Sequence, residues 1–307
     1  MKVVVAGGTA SIGRAIVDSL KSRQGFEYTI FSRTEHPDPK TIVVDYANIG
    51  DLTARLEAEE AYVVISALAI GDETSGQAQL NLIEAASRSK CTKRFLPSEF
   101  GIYYAPEKIK HVPSYRYKLK AIEALEKTDL EFSLVSNGFF LDYWASPRIP
   151  SHLLRTPAIW IDIANNFAAI PGDGNKPLVL THSRDVGLFV AELINLPHWN
   201  RRYSIVGDRL TLNDAVRTIE EVKGVKFDVR YDASEKLHRG EATLTPQMAQ
   251  MVGSEKTARR ALEAVLSLSG INYDEGGMDL DLSITLNEEF PALKPLTVRD
   301  VAEAWKE

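Results

Sequence analysis

The segment from Lys2 to Phe31 constrains the fold of this chain more than any other part of the sequence. Lys2 to Ala6 is a short run rich in β-branched residues, which predicts a buried strand. The next segment, Ser11 to Ser22, has apolar residues at helical spacing: Ile12, Ala15, Ile16 and Leu20. Tyr28 to Phe31 is apolar again. The pattern predicts a β-α-β unit of about 30 residues, the building block of a parallel sheet.

The same alternation continues along the first half of the chain. Further strands are predicted at Thr41–Val44, Tyr62–Ile65, Lys93–Leu96 and Phe132–Val135, with helices at Ile49–Glu59, Gly76–Ser89 and Tyr115–Lys127. Strands that alternate with helices form a parallel sheet covered on both faces. The predicted fold class is therefore α/β, a Rossmann-type doubly wound parallel sheet with a smaller C-terminal substrate-binding domain.

The alternation stops after Asn137, and the boundaries of the domains are predicted from that break. Residues 1–137 with parts of 178–206 are expected to form the nucleotide-binding domain, and residues 138–177 and 207–307 the smaller region. Helices are predicted at Ser183–Leu196 and Thr211–Val222 and from Thr297 onward, and a strand at Tyr203–Val206. No local pattern determines the backbone in residues 139–177 and 230–295.

The turn between the first strand and the first helix is rich in glycine and has the sequence Gly7-Gly8-Thr9-Ala10-Ser11-Ile12-Gly13. A tight glycine turn lets main-chain N–H groups and the positive end of a helix meet a pyrophosphate. The prediction is a dinucleotide site that includes Gly7, Thr9, Ala10, Ser11, Ile12 and Gly13. Ala10 stands where a middle glycine is more usual, and an ordinary strand-to-helix turn is the alternative.

The end of the second strand indicates which dinucleotide is bound. Folds that prefer NAD place an acidic residue there, whereas this sequence has Ser32 and Arg33. A guanidinium group matches a 2′-phosphate, so we expect NADPH. Glu35 could hold a ribose instead, and Arg33 could be an ordinary loop arginine. Asp45, after the third strand, is either an adenine-side contact or the N-cap of the next helix.

Composition excludes several classes of protein. The net charge of −6 and the pI near 5.7 argue against nucleic acid as a partner. The single Cys91 cannot form an internal disulfide, and four apolar residues before Gly7 are too few for a signal peptide. The apolar stretch Tyr62 to Ile70 is too short to span a membrane. We expect a cytoplasmic protein.

The motifs of several other enzyme classes are missing from the sequence. The six histidines, His36, His111, His152, His182, His198 and His238, are scattered, and no cysteine cluster accompanies them. A metal site is therefore not expected. The sequence also lacks the Gly-x-Ser-x-Gly elbow of many hydrolases and a Walker-type phosphate loop.

Three motifs together resemble the NmrA-like, isoflavone-reductase-like family of atypical short-chain dehydrogenases, which includes phenylcoumaran benzylic ether reductases. They are the glycine turn, Arg94-Phe95-Leu96-Pro97-Ser98-Glu99-Phe100-Gly101, and a downstream helix with Lys118. The resemblance extends through Asn137-Gly138-Phe139, Pro171-Gly172-Asp173-Gly174 and Asp185-Val186-Gly187. It implies NADPH in a cleft between a Rossmann-like domain and a small substrate domain, and a role in fungal or plant secondary metabolism.

The resemblance also implies a catalytic residue. Reductases of the family have a lysine near the nicotinamide, and its spacing to Asn137 matches Lys118 better than Lys120. A partly desolvated ammonium group has a lowered pKa and can relay a proton to or from a phenol or carbonyl oxygen. The widespread dehydrogenases place a tyrosine four residues earlier, where this chain has Ser114. Lys118 is therefore expected to act without a tyrosine.

Other site residues are expected from their places in the predicted fold or are implied by the resemblance. Those predicted to contact the cofactor are Ser66, Ala67, Leu68, Gln77, Pro97, Ser98, Lys118, Asn137 and Phe139. Gln77 could instead cap its helix. The residues predicted to contact substrate are Phe100, Phe139, Phe140 and Tyr143, although aromatic core packing is equally compatible with the sequence.

The expected function is an NADPH-dependent reductase of a small, mainly apolar substrate that is aromatic or contains an enone or carbonyl group. A non-catalytic NAD(P)-sensing regulator of the NmrA type is the first alternative, because the tyrosine is absent. An isomerase on the same fold is the second. The chain is expected to be a monomer or a homodimer.

Overall fold

A computed structural model describes residues 1–103 and 114–306. Of the residues discussed above, His111 lies outside these ranges. Six parallel strands form the main sheet, in the order β3-β2-β1-β4-β5-β6. Their bounds are β1 Lys2–Ala6, β2 Glu27–Ser32, β3 Thr41–Val43, β4 Val63–Ser66, β5 Arg94–Leu96 and β6 Glu131–Phe132. The predicted α/β class with a Rossmann-type parallel sheet is confirmed.

Helices cover both faces of this sheet because the central strands are buried on both sides. The helices of the first half are α1 Ser11–Lys21, α2 Ile49–Ala58, α3 Glu73–Arg88 and α4 Tyr115–Leu125. One face carries α2, α3 and α4, whose core includes Leu52, Leu82 and Ala121. The other face packs against α1, through residues such as Ile16.

The second half of the chain returns to this sheet. After β6, the strand β7 (Leu134–Ser136) pairs in parallel with β12 (Arg202–Ser204). The helix α6 (Ser183–Leu193) packs against α1, and a Cβ atom added at Gly187 would lie 2.4 Å from the carbonyl oxygen of Ala15. Only glycine permits this approach. The contact places α6 on the same face of the sheet as the predicted nucleotide-binding helix.

The remaining elements build a smaller region around two three-stranded sheets, ordered β14-β10-β9 and β13-β11-β8. The strands are β8 Phe139–Phe140, β9 Ile161–Asp162, β10 Phe167–Pro171, β11 Pro177–Thr181, β13 Asp208–Thr211 and β14 Asp228–Asp232. The helices are α5 Asp142–Ala145, α7 Leu212–Lys223, α8 Ser234–His238, α9 Pro246–Val252, α10 Lys256–Asp274, α11 Leu286–Glu289 and α12 Val298–Ala304. The predicted domain boundaries remain a prediction.

Capping residues determine where several of the later helices begin. Thr211 and Thr297 form capping boxes with Asp214 and Asp300, as the sequence predicts for α7. The helix α6 ends at Leu193, three residues before the predicted end. The segment 230–295, which lacks a clear pattern, contains the 19-residue helix α10.

Two further features concern membrane-spanning helices and clusters of metal-binding side chains. Among the helices that the structure describes, none is both long and apolar enough to cross a membrane. Within the described ranges there is also no group of three or more His, Cys, Asp or Glu side chains that could hold a metal ion.

Candidate functional site

The carboxyl edge of the main sheet brings the predicted site residues together. Parallel strands all end at the same edge, where open α/β sheets bind their ligands. The residues at or just after the strand ends are Gly7, Ser32, Asp45, Ser66, Pro97 and Asn137. Residues far apart in the sequence therefore line one side of the molecule.

The glycine turn lies tightly against the neighbouring strand end. Gly7 has a φ of +79°, and an added Cβ atom would lie 2.8 Å from the Ala67 carbonyl oxygen. A Cβ atom at Gly13 would lie 2.2 Å from the carbonyl oxygen of Gly7. Both positions require glycine.

The first turn of α1 differs from that of most other long helices in this fold. Its N-cap is Ala10, which makes no side-chain capping bond, and no acidic residue occupies the first turn. By contrast, Asn48 and Asp72 cap α2 and α3. The first N–H groups of a helix have no partner within the helix. Those of α1 are therefore suited to bind an anion.

A cavity of about 860 Å³ lies between the segments that follow β2, β3 and β4 and the first turns of α3. Its lining includes four predicted residues, Arg33, Asp45, Leu68 and Gln77. Arg33 is exposed, is the one basic side chain among the described residues of the lining, and makes no ion pair with any of them. Glu35 is not part of the lining. The cavity therefore presents a guanidinium group where a 2′-phosphate is predicted.

Two predicted capping alternatives are wrong. The Asn48 side chain, not that of Asp45, accepts the N–H bond that caps α2, and Asp45 instead accepts from the N–H of Ala47 at 2.9 Å. Asp72 caps α3, which begins three residues earlier than predicted. Gln77 lies in the second turn and donates to Asn81 Oδ1 at 2.8 Å.

Tyr46 forms part of the cavity and is a site residue that the sequence does not single out. Its hydroxyl donates to the Phe31 carbonyl oxygen at 3.1 Å, and its own carbonyl oxygen accepts from Asn81 Nδ2 at 2.8 Å. Burial raises the pKa of the Tyr46 hydroxyl. An aromatic residue shortly after the third strand was the signal available in the sequence.

The Pro97–Gly101 segment joins two strand ends. The main-chain N–H of Ser98 donates to Gln79 Oε1 at 2.8 Å, and its hydroxyl donates to the Leu68 carbonyl oxygen at 2.7 Å. Gln79 is fully buried on α3, and the sequence gives no sign of its role. The Ser98 hydroxyl therefore holds the loop after β5 against the loop after β4.

The backbone of the same segment is strained at Phe100, which has a φ of +33°. Its N–H donates to the Val135 carbonyl oxygen at 3.1 Å. The Gly101 carbonyl oxygen accepts from the N–H groups of both Asn137 and Gly138 at 3.0 Å. These three hydrogen bonds fix the backbone of the segment, and backbone strain of this kind is common at functional sites.

Lys118 projects from α4 toward this segment. Its ammonium group donates to the main-chain carbonyl oxygen of Glu99 at 2.5 Å. Burial lowers the pKa of Lys118 to about 8, and the nearby Glu99 carboxylate opposes that change. A lysine with a lowered pKa gives up its proton more readily than an exposed one, which is compatible with the predicted proton relay, and that role stays a prediction.

Tyr117, next to Lys118, makes contacts away from the lysine. The Tyr117 ring packs against α3, where a Cβ atom added at Gly76 would lie 2.6 Å from the ring. The Tyr117 hydroxyl accepts from Arg116 at 2.7 Å. Ser114, at the position of the missing tyrosine, lies at the start of α4.

Several buried polar atoms at the carboxyl edge have no hydrogen-bond partner among the described residues. They belong to three strand ends: Ser66 Oγ after β4, Glu99 Oε1 after β5 and Asn137 Oδ1 after β7. Buried polar groups are rarely left unpaired in proteins. These three atoms are therefore suited to form hydrogen bonds with a polar ligand bound at this edge.

The four aromatic residues predicted to contact substrate are divided between two hydrophobic cores. The Phe139 ring stacks on Trp160 with a centroid distance of 5.1 Å and lies 5.0 Å from Tyr143. Phe100 and Phe140 pack instead with the core on the α1 face of the sheet. Phe139 and Tyr143 therefore form an aromatic cluster, to which Trp160 is an addition that sequence reasoning missed.

Comparison with known proteins identifies the same family that the sequence motifs resemble. Residues 1–267 match the NmrA-like family. Oxidoreductase BOA1 of Botryotinia fuckeliana is 36% identical over 305 residues, which cover 96% of each protein. Phenylcoumaran benzylic ether reductase TP7 of Nicotiana tabacum is 23% identical, covering 97% of this chain and 96% of the relative.

The fold is also shared with a solved structure. The leucoanthocyanidin reductase of Vitis vinifera, in its binary complex with NADPH, superimposes with a TM-score of 0.73 at 18% identity. The match covers 99% of both chains. The family match over residues 1–267 confirms the resemblance that the three motifs indicate. This chain therefore belongs to the NmrA-like family.

Proposed function

We propose that this chain is an NADPH-dependent reductase of a small, mainly apolar substrate that is aromatic or contains an enone or carbonyl group. The observation that carries the proposal is Lys118, a half-buried lysine whose pKa is lowered to about 8 at the edge where the cofactor is expected. The relative from Botryotinia fuckeliana bears the name oxidoreductase, and that from Nicotiana tabacum the name reductase. The similar Vitis vinifera enzyme binds NADPH.

The residues at the carboxyl edge fit this cofactor. The uncapped first turn of α1 would bind the pyrophosphate, and Arg33 with Ser32 would bind the 2′-phosphate. Asp45 and Leu68 would lie beside the adenosine. The unpaired oxygens of Ser66 and Asn137 would meet the nicotinamide half. When bound, NADPH supplies a hydride to the substrate.

Lys118 would manage the proton that accompanies this reduction. Reduction of a carbonyl or enone leaves negative charge on the substrate oxygen, and a nearby ammonium group stabilises that charge and donates a proton to it. The Glu99 carbonyl oxygen fixes the position of the ammonium group. The neutral amine then regains its proton from solvent.

The aromatic cluster of Phe139, Tyr143 and Trp160 supports the substrate class. Phe139 and Tyr143 come shortly after the end of β7, next to Asn137, and Trp160 just before β9 stacks on Phe139. Flat aromatic surfaces bind aromatic ligands by stacking. The smaller region, residues 138–177 and 207–307, would therefore supply the substrate side of the site.

The pH dependence of turnover follows from the pKa of Lys118. The ammonium form donates the proton during reduction, and this form predominates below pH 8. We expect kcat for reduction to fall as the pH rises through about 8, and kcat for the reverse oxidation to rise there. Rates measured from pH 6 to 10 test this. A kcat for reduction that stays constant to pH 10 would contradict the proton-donor role.

The cofactor preference is tested at Arg33. Replacing Arg33 by alanine should weaken NADPH binding by about 10-fold to 100-fold, because charged hydrogen bonds contribute about 1.5–3 kcal/mol. NADH, which lacks the 2′-phosphate, should bind almost unchanged. Calorimetric titration with both nucleotides measures the difference. Arg55→Ala, on the exposed side of α2, is the matched control, and equal losses for both nucleotides in Arg33→Ala would refute the assignment.

A non-catalytic NAD(P)-sensing regulator is the second candidate. Ser114 in place of a tyrosine favours it, because the usual acid/base pair is incomplete. The two functions differ in turnover. A reductase oxidises NADPH when offered a panel of aromatic enones, quinone methides and carbonyl compounds, whereas a sensor binds the nucleotide and leaves it unchanged.

A further inference from the structure

Glu99 is a buried carboxyl group that the proposed mechanism leaves without a role. Its residue is 2% exposed, although it follows directly after a strand at the edge of the site. One carboxyl oxygen, Oε1, has no hydrogen-bond partner among the described residues. Burial of an acidic group without full pairing costs free energy, so such a group usually has a function.

The backbone on both sides of Glu99 holds it in place. Its N–H donates to the Pro97 carbonyl oxygen at 2.8 Å, and the next residue, Phe100, is fixed by the bond to Val135. The strained φ of Phe100 turns the chain at this point. The carbonyl oxygen of Glu99 consequently faces α4, where it accepts from Lys118.

Two cationic groups act on the Glu99 carboxyl. Lys118, whose ammonium group bonds to the main-chain carbonyl oxygen of the same residue, and Arg202 on β12 both favour the ionised form. The Arg202 guanidinium lies 4.4 Å from the centre of the Tyr103 ring. Burial acts in the opposite direction and raises the pKa of Glu99. Burial lowers the pKa of Lys118, while the Glu99 carboxylate raises it.

We propose that Glu99 is the positioning residue of Lys118: its carbonyl oxygen fixes the ammonium group, and its carboxyl group sets the charge of the lysine. An ionised Glu99 favours the ammonium form of Lys118, and a protonated Glu99 allows the lysine to lose its proton more readily. This inference rests on the proposed function, because it explains how the proton relay is tuned. The two groups titrate as a coupled pair.

The test measures the titration of Lys118 directly. The full-length protein, without nucleotide, is labelled with acetic anhydride from pH 6 to 11, and the extent of acetylation at Lys118 is read by mass spectrometry. Exposed Lys120 on the same helix is the internal reference. Glu99→Gln keeps the main-chain carbonyl and removes the charge. We expect it to lower the labelling midpoint of Lys118 by about one pH unit, the usual effect of losing an adjacent opposite charge.

Two further variants complete the test. Glu123→Gln removes an exposed carboxylate from the same helix and should leave the Lys118 midpoint unchanged. Glu99→Asp keeps the charge and should give a midpoint nearer to the wild type than to Glu99→Gln. A folded Glu99→Gln protein with the wild-type midpoint would overturn the proposal.

A second measurement keeps the proposal testable if Glu99→Gln does not fold. The Glu99 carboxyl is titrated by ¹³C NMR in the wild type and in Lys118→Met, and the pKa of Glu99 should be higher in the variant. An identical titration in both would refute the coupling. Because neither experiment needs NADPH or turnover, their result is independent of the proposed function. If Lys118 is the relay, the alkaline limb of kcat in Glu99→Gln should also move to lower pH by the same amount.

Discussion

Replacing Lys118 by alanine is expected to lower kcat for reduction by at least about a hundredfold, the usual contribution of a positioned acid or base. The affinity for NADPH should change by only a few-fold, because the predicted pyrophosphate and 2′-phosphate contacts lie at α1 and Arg33. Steady-state rates and calorimetric titration separate the two quantities. A loss of kcat with retained binding is the pattern of a group that acts in the transition state.

The matched control is Lys120→Ala. Lys120 is exposed on the same helix, so its removal changes the local charge without touching Glu99. It should keep wild-type rates. Full activity in Lys118→Ala would exclude the lysine from the reaction, and an equal loss in both variants would indicate a general effect of the charge on α4.

Gly13→Ala is expected to destabilise the fold and to disrupt nucleotide binding. The added methyl group would lie 2.2 Å from the Gly7 carbonyl oxygen and 3.0 Å from Ala67 Cβ. Either α1 or the glycine turn must move, and overpacking of this kind costs about 3 kcal/mol of unfolding free energy. Because the moved atoms include the predicted pyrophosphate contacts, NADPH should bind at least about tenfold more weakly.

Thermal unfolding with and without NADPH measures both effects. Gly50→Ala is the control, since its new methyl group meets only Asn48 Oδ1, at 3.5 Å. That site lies in the first turn of α2, where alanine is tolerated. A Gly13→Ala protein with wild-type stability and affinity would show that the close contact between α1 and β1 can be relaxed.

Periodicity predicts the first half of the fold well because its elements are strongly patterned. Every residue of β4 is buried, and α1 has its apolar residues on one side, so both are visible in the sequence. The helix α10 is different. Its buried residues include Ser267, Gly270 and Asn272, and much of its first half is exposed. Packing against α8 and β10 determines this helix, and no local pattern reveals it.

The candidate site also contains residues that the sequence predicts and residues that only the tertiary structure reveals. The glycine turn, Arg33 and Lys118 carry chemistry that can be inferred from residue type and place. Glu99 stands inside a motif that the sequence already indicates, but its burial and its place beside Lys118 of α4 depend on tertiary packing. The separation of Phe139 from Phe140 likewise depends on which core each ring enters.

The glycine contact between α1 and α6 limits how such proteins can diversify. Gly187 belongs to the second half of the chain, yet it touches the main chain of the helix that begins the nucleotide site. A substrate region exchanged between relatives would have to bring an equally small residue to face Ala15. The two halves are therefore not interchangeable modules, and under the proposed function new specificities would be more accessible through substitutions in the aromatic cluster than through recombination at residue 137.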